Sequence, residues 1–218
     1  MQMLLTWKYY KILGEEIIVR KRLSSVTFYL GILLMGFLVI YFFYSIITDK
    51  PNYNIAYYVE NHDYENVSRL LKEGADPNSF NKDGVTLLSV ATEFEDYRTV
   101  YVLLSYKANP NLANQKFSYL PIHIAVMKDN PYITALLLKN GANPNSRDRE
   151  WRTPLHWAAL IRDSQTASLL IEYKANPNYL DAFGFTPLDY SMLLKNDSIS
   201  LLLIESGGIN GQELFPSS

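Results

Sequence analysis

"KANPN" stands at Lys107–Asn111 and returns letter for letter at Lys174–Asn178. "GADPN" at Gly74–Asn78 and "GANPN" at Gly141–Asn145 are near copies. The closing asparagines, Asn78, Asn111, Asn145 and Asn178, are separated by steps of 33, 34 and 33 residues. A fixed period of this size marks a stacked array of repeated units. A second phrase runs in step with the first. It is clearest as "TPLHWAA" at Thr153–Ala159 and "TPLDYSM" at Thr186–Met192, and weaker as "LPIHIAV" at Leu120–Val126 and "TLLSVAT" at Thr86–Thr92. Between this phrase and the next "NPN" lies an apolar cluster such as Leu103-Leu104 or Leu169-Leu170-Ile171.

The residues explain the phrases. Thr153 can cap a helix start, and Pro154 suits the first helical position, where its missing N–H has no partner to lose. Ala158 and Ala159 are small enough for a neighbouring helix to approach. "QTASLLIEY" at Gln165–Tyr173 spaces its apolar residues as a second helix. Gly74 and Gly141 suit the left-handed residue that ends such a helix; Lys107 and Lys174 fill the same place less well. The proline of "NPN" then stops the helix and opens an extended loop. The expected fold is an all-α solenoid of about five helix pairs with hairpin loops, each pair burying its apolar face against its neighbours.

Taken together, T-P-L-H-x-A, a leucine-rich second helix and G-A-D-x-N resemble the ankyrin repeat. The resemblance covers residues 52–210. The first unit, "YNIAYYVENHDYENVSRLLKEGADPN", lacks the "TPLH" phrase and reads as an N-terminal cap. The last ends at "LLLIESGGIN", and residues 211–218, "GQELFPSS", read as a short frayed tail.

The chain has 218 residues, a net charge of −2 and no cysteine, so disulfides and thiolate metal sites are excluded. Residues 1–22 hold five Lys or Arg against two Glu, a net +3, while residues 49–218 hold 15 basic against 20 acidic side chains, a net −5. An acidic repeat region argues against nucleic acid, whose binding needs phosphate neutralisation. Residues 23–48, "LSSVTFYLGILLMGFLVIYFFYSIIT", carry no charge. About 20 apolar residues cross a bilayer, so this run reads as a transmembrane helix. It is too long for a signal-peptide core and lacks a small-x-small cleavage site. Tyr41–Tyr44 would sit at the far interface, and Gly31 and Gly36 are too far apart for the G-x-x-x-G dimer motif. Lys8, Lys11, Arg20, Lys21 and Arg22 precede the run and only Lys50 follows it closely, which places residues 1–22 in the cytoplasm and the repeats across the membrane. In a Gram-negative bacterium that side is the periplasm. Residues 49–51 form a short linker.

Catalytic chemistry is hard to find. His123 and His156 hold the fourth place of the "TPLH" phrase, where Ser89 and Asp189 stand in other repeats. A catalytic or metal role would demand partners; the resemblance implies a structural role, with the ring bonded to neighbouring backbone. His62 lies in the first cap. Glu93, Glu95 and Asp96 read as a solvated turn. No Gly-rich phosphate loop, nucleophile elbow or H-E-x-x-H appears, and Gly207-Gly208 reads as a chain stop. The expectation is a non-enzyme with no cofactor, no metal and no small-molecule substrate.

The resemblance implies protein binding through the loop tips and the ends of the first helices. In phase, these places are Lys82, Asp83, Val85, Glu93 and Phe94; Lys116, Phe117, Tyr119, Met127 and Lys128; Arg149, Glu150, Trp151, Arg152, Leu160 and Ile161; and Ala182, Phe183, Phe185, Leu193 and Leu194. Trp151 stands where the family puts a loop glycine. Grouped apolar side chains in water mark contact surfaces. Against this, Leu160 and Ile161 can tuck under the adjacent loop, and Leu193 and Leu194 can pack against the tail. The layout resembles membrane-anchored immunity proteins that neutralise antibacterial type VI secretion effectors, phospholipases among them. The partner implied is then a protein toxin, with membrane lipid met by residues 23–48. The alternative is an envelope scaffold for endogenous proteins, and a third is a sensor with a signalling cytoplasmic segment.

Overall fold

The computed structural model describes Val39 and residues 54–114 and 119–214. Apart from Val39, the segments read as cytoplasmic (1–22), membrane-spanning (23–48) and linker (49–51) lie outside the described residues, as do Lys116 and Phe117. Among the described residues no helix is long and apolar enough to cross a membrane.

Among the described residues, five helix pairs follow one another: α1 (Ile55–Glu60) with α2 (Tyr64–Lys72), α3 (Leu87–Glu93) with α4 (Tyr97–Ser105), α5 (Pro121–Met127) with α6 (Pro131–Lys139), α7 (Pro154–Ile161) with α8 (Ser164–Glu172), and α9 (Pro187–Leu193) with α10 (Asp197–Glu205). First helices pack on first helices and second on second, from each repeat to the next. Such short helices are marginal alone, so the stack supplies their stability. Leu87, Leu103, Ile122, Ile133, Leu137, Leu155, Leu170, Ile199 and Leu203 are fully buried along the seam. Small residues at one first-helix register, Ala91, Ala125 and Ala158, are also fully buried and let the helices close up.

The repeated phrase is a stitch between repeats. In "NPN", the side chain of the first Asn or Asp accepts from the backbone N–H two residues on, at 2.9 Å in all four copies. The closing asparagine reaches forward. Asn78, Asn111 and Asn145 Oδ1 accept from the backbone N–H of Asn109, Asn143 and Asn176 in the next repeat, at 2.7, 2.8 and 2.7 Å. Asn178 does the same for Ile209 at 2.9 Å. The amide groups of Asn111, Asn145 and Asn178 also donate to the carbonyls of Gly141, Lys174 and Gly207. Those carbonyls belong to the left-handed residues that end the second helices: φ is +99° at Gly74, +86° at Gly141, +80° at Gly207, and +68° at both Lys107 and Lys174. The two lysines therefore adopt a conformation that favours glycine.

Of the tail expected at residues 211–218, the structure describes residues 211–214. Gly211–Leu214 form a helical turn, α11. Gly211 N–H donates to Asp189 Oδ2 at 2.9 Å, and the Gly184 carbonyl lies so close that a Cβ at position 211 would clash with it. A capping carboxylate at a helix start thus holds the turn that follows the last repeat.

A second row of contacts joins the turns between paired helices. His62 Nδ1 lies 3.5 Å from Asp96, Asn130 Nδ2 donates to Glu95 at 2.9 Å, and Arg162 donates to the Leu194 carbonyl at 3.0 Å. Between the third and fourth repeats the row pairs two acids. Asp129 faces Asp163, and the shared hydrogen bond, slight burial and the Asp163 charge, in that order, raise the Asp129 pKa. Thr166 Oγ1 is buried without a partner among the described residues, whereas the matching Thr99 hydroxyl bonds to Asp96 Oδ2 at 2.6 Å. A raised carboxyl pKa in the fold means that stability at neutral pH is lower than it could be and rises as pH falls through that pKa. Asp129→Asn, which can donate to Asp163 without a charge, is expected to raise the neutral-pH melting temperature and to remove this acid-side gain. A thermal melt at neutral and mildly acidic pH checks both.

Candidate binding face

Three hairpins are each held by one side chain at a fixed place. Asn81 Oδ1 accepts from the N–H groups of Asp83 and Val85, Asp148 Oδ1 from Glu150 and Arg152, and Asp181 Oδ1 from Phe183 and Phe185, at distances of 2.8 to 3.0 Å. The backbone closes the same turn: Asn81, Asp148 and Asp181 N–H donate to the carbonyls of Val85, Arg152 and Phe185. Asn114 stands at the matching place of the next repeat, accepting from Thr86 N–H and donating to the Tyr119 carbonyl. From Asn114 to Leu120 is one residue more than from Asn81 to Thr86. This loop therefore carries the insertion that makes the 34-residue step.

The two histidines brace the hairpins from below. His156 Nδ1 accepts from Thr153 N–H at 3.0 Å, so Nε2 carries the proton and donates to the Phe185 carbonyl of the next hairpin at 3.1 Å. His123 Nδ1 accepts from Leu120 N–H at 3.2 Å and Nε2 donates to the Ser146 carbonyl at 3.1 Å. Both rings are fully buried. Burial holds His123 down to about 4 and lowers His156 in the same direction, so both stay neutral. These bonds are structural, as the resemblance implied. Among the described residues, no group of three His, Cys, Asp or Glu side chains converges to hold a metal ion.

The expected binding residues separate into two sets. Facing water are Lys82, Asp83, Glu93, Phe94, Lys128, Arg149, Trp151, Ala182, Phe183, Phe185 and Leu193. Phe94 is 50% exposed, Trp151 57%, Phe183 69% and Phe185 46%. Several others turn inward. Val85 and Ile161 pack against the core. Tyr119 sets its ring edge-on to His123 and Trp157. Arg152 lies 4.0 Å above the Trp157 ring and pairs with buried Asp148 at 3.2 Å and with Glu150 at 2.9 Å. Met127, Glu150, Leu160 and Leu194 are half-buried. Trp157 completes the network by donating from Nε1 to Asp148 Oδ2 at 2.9 Å. Tyr190 makes the matching bond to Asp181 Oδ2 at 2.6 Å, and burial followed by that bond pushes its phenol pKa well up.

Trp151 occupies the tip of its hairpin with φ +60°, where the matching tips of two other hairpins have Gly84 at +72° and Gly184 at +81°. A left-handed non-glycine residue costs roughly 1–2 kcal/mol. Trp151→Gly is therefore expected to stabilise the fold by about 1 kcal/mol, once the entropy of a new glycine is set against the relief. Urea unfolding checks it; a lower midpoint would mean that the exposed ring contributes more to the fold than its geometry indicates.

Arg147, beside Trp151, and Tyr179 lie outside the expected set. The Arg147 guanidinium carbon lies 4.6 Å from the centre of the Tyr179 ring and 5.8 Å from that of the Trp151 ring. The signal was available: at Arg147's place in the repeat the other units carry Phe80, Ala113 and Leu180. The adjoining hairpins are joined by Ala182 N–H donating to the Glu150 carbonyl at 2.8 Å. An open groove of about 830 Å³ lies elsewhere, along the second helices, lined by Tyr97, Tyr132, Leu136, Lys139, Leu169 and Glu172.

Stacked helix pairs joined by hairpins that present rings to water define a helical-repeat solenoid. The particular repeat is set by the stitched "NPN" turn and the braced "TPLH" helix. The chain belongs to the ankyrin-repeat family: the family's profile, ankyrin repeats in three copies, matches residues 54–148 and 122–213. No curated protein matches the chain. Ankyrin repeats are protein–protein interaction modules, so the partners implied are proteins.

Proposed function

We propose that this chain is a membrane-anchored, non-enzymatic capture protein that binds and inhibits one partner protein, an antibacterial type VI secretion effector, at the membrane surface. The observation that carries the reading is the aromatic set Trp151, Phe183 and Phe185, exposed on hairpins that are locked by their own side-chain bonds. Desolvating one such ring contributes roughly 1.5–3 kcal/mol, and rigid loops lose little entropy on binding. Residues 23–48 serve as the anchor, with the basic residues 1–22 in the cytoplasm and the repeats in the periplasm. An anchored inhibitor meets a membrane-acting toxin, such as a phospholipase, at raised local concentration.

The test is a capture experiment with the full chain in its native membrane, followed by deletion of the gene. The inhibitor reading expects one tight partner that is lethal to cells lacking this chain. Several weak endogenous partners and no toxicity would replace it with the envelope-scaffold reading.

A further inference from the structure

We propose that the hairpins of the fourth and fifth repeats receive a segment of the partner in which a carboxylate side chain stands beside an apolar one. The carboxylate sits on Arg147 and the apolar group on Trp151 and Phe183. This rests on the reading that the hairpin face captures a protein.

The repeat fold does not ask for a cation at position 147, since apolar residues serve at that place in the other units. Arg147 is exposed, and no acidic side chain among the described residues pairs with it. The acids nearest in sequence, Asp148 and Glu150, are both engaged by Arg152. Their charges are thereby answered, and Arg147's is not. The guanidinium carbon lies 4.6 Å from the centre of the Tyr179 ring and 5.8 Å from that of Trp151, so the cation is placed against both rings. A guanidinium set against rings and without an acidic partner has N–H groups to offer a planar two-oxygen acceptor, and its fork of donors matches a carboxylate. The rings of Trp151 and Phe183 lie on hairpins joined by the Ala182–Glu150 backbone bond, so the cation and the apolar surface are presented by one rigid unit. The complement of such a unit is an acidic side chain next to a hydrophobic one.

The probe is a displayed library of random peptides, selected on the full chain in detergent. Selected peptides are expected to place Asp or Glu next to Trp, Phe or Leu. A synthesised winner is expected to bind Arg147→Glu, and the milder Arg147→Gln, at least about tenfold more weakly, with the gap shrinking in high salt. Equal binding by both Arg147 variants, or winners with no acidic excess, overturns the proposal. If such winners still fail on Trp151→Ala with Phe183→Ala, the aromatic face stands and only the carboxylate assignment falls. Winners indifferent to all of these variants would remove the hairpin face itself. Arg147-dependent binding to phosphatidylglycerol vesicles, with no peptide selected, would overturn the proposal in favour of a lipid phosphate.

Discussion

His123→Ala is expected to cost the repeat domain about 3 kcal/mol or more, read as a fall in the urea midpoint. The ring is fully buried between the third and fourth repeats. Its removal leaves the Leu120 N–H and the Ser146 carbonyl without the bonds they now make at 3.2 and 3.1 Å. Each buried group left unpaired costs about 1–3 kcal/mol, and the cavity adds to that. The histidine also sets a pH dependence. Its pKa falls from 6.5 to about 4 in the fold, chiefly through burial. The unfolded chain therefore binds more protons across that window. Stability is full above pH 6.5 and declines as pH falls towards 4, by about 3 kcal/mol from this residue. His156 adds in the same direction. The variant should start lower and show a shallower acid decline. A wild-type midpoint with an unchanged acid limb would contradict the bracing role.

The second large effect is on capture. Trp151→Ala combined with Phe183→Ala is expected to weaken the captured partner's affinity by at least about 100-fold, since two desolvated rings at roughly 1.5–3 kcal/mol each exceed the 2.8 kcal/mol that this factor requires. Both rings are more than half exposed, so their loss should leave the urea midpoint near that of the wild type or above it. Trp151→Gly should show the same separation: a more stable fold and weaker capture. Affinity and stability moving down together would point to a structural role for these rings.

The fold was largely legible because the same residues do the same work in every unit. Asn78, Asn111, Asn145 and Asn178 recur because each stitches its repeat to the next, and a bond made in every unit leaves a periodic trace. Trp151 could be singled out because it breaks that trace at a glycine position. The binding face was legible only in part. Periodicity gives a residue's place in the repeat, while its direction depends on neighbours from another unit. Tyr119 turns inward because His123 and Trp157 are there to receive it, and Arg152 because Asp148 and Trp157 are. The acid pair Asp129–Asp163 needs cross-repeat register, which no single unit reveals. The turn at Gly211–Leu214 depends on a carboxylate 22 residues earlier, Asp189, so no local pattern announces it.

The most direct test of the central claim is site-specific photo-crosslinking of the full chain with its captured partner bound. A photoreactive benzophenone side chain is placed at position 183 on the hairpin face, and in a second protein at position 132, an exposed tyrosine of the second-helix groove. A partner crosslink is expected from position 183 and none from 132. Crosslinking from 132 with silence at 183 would place the partner on the second helices and contradict that claim.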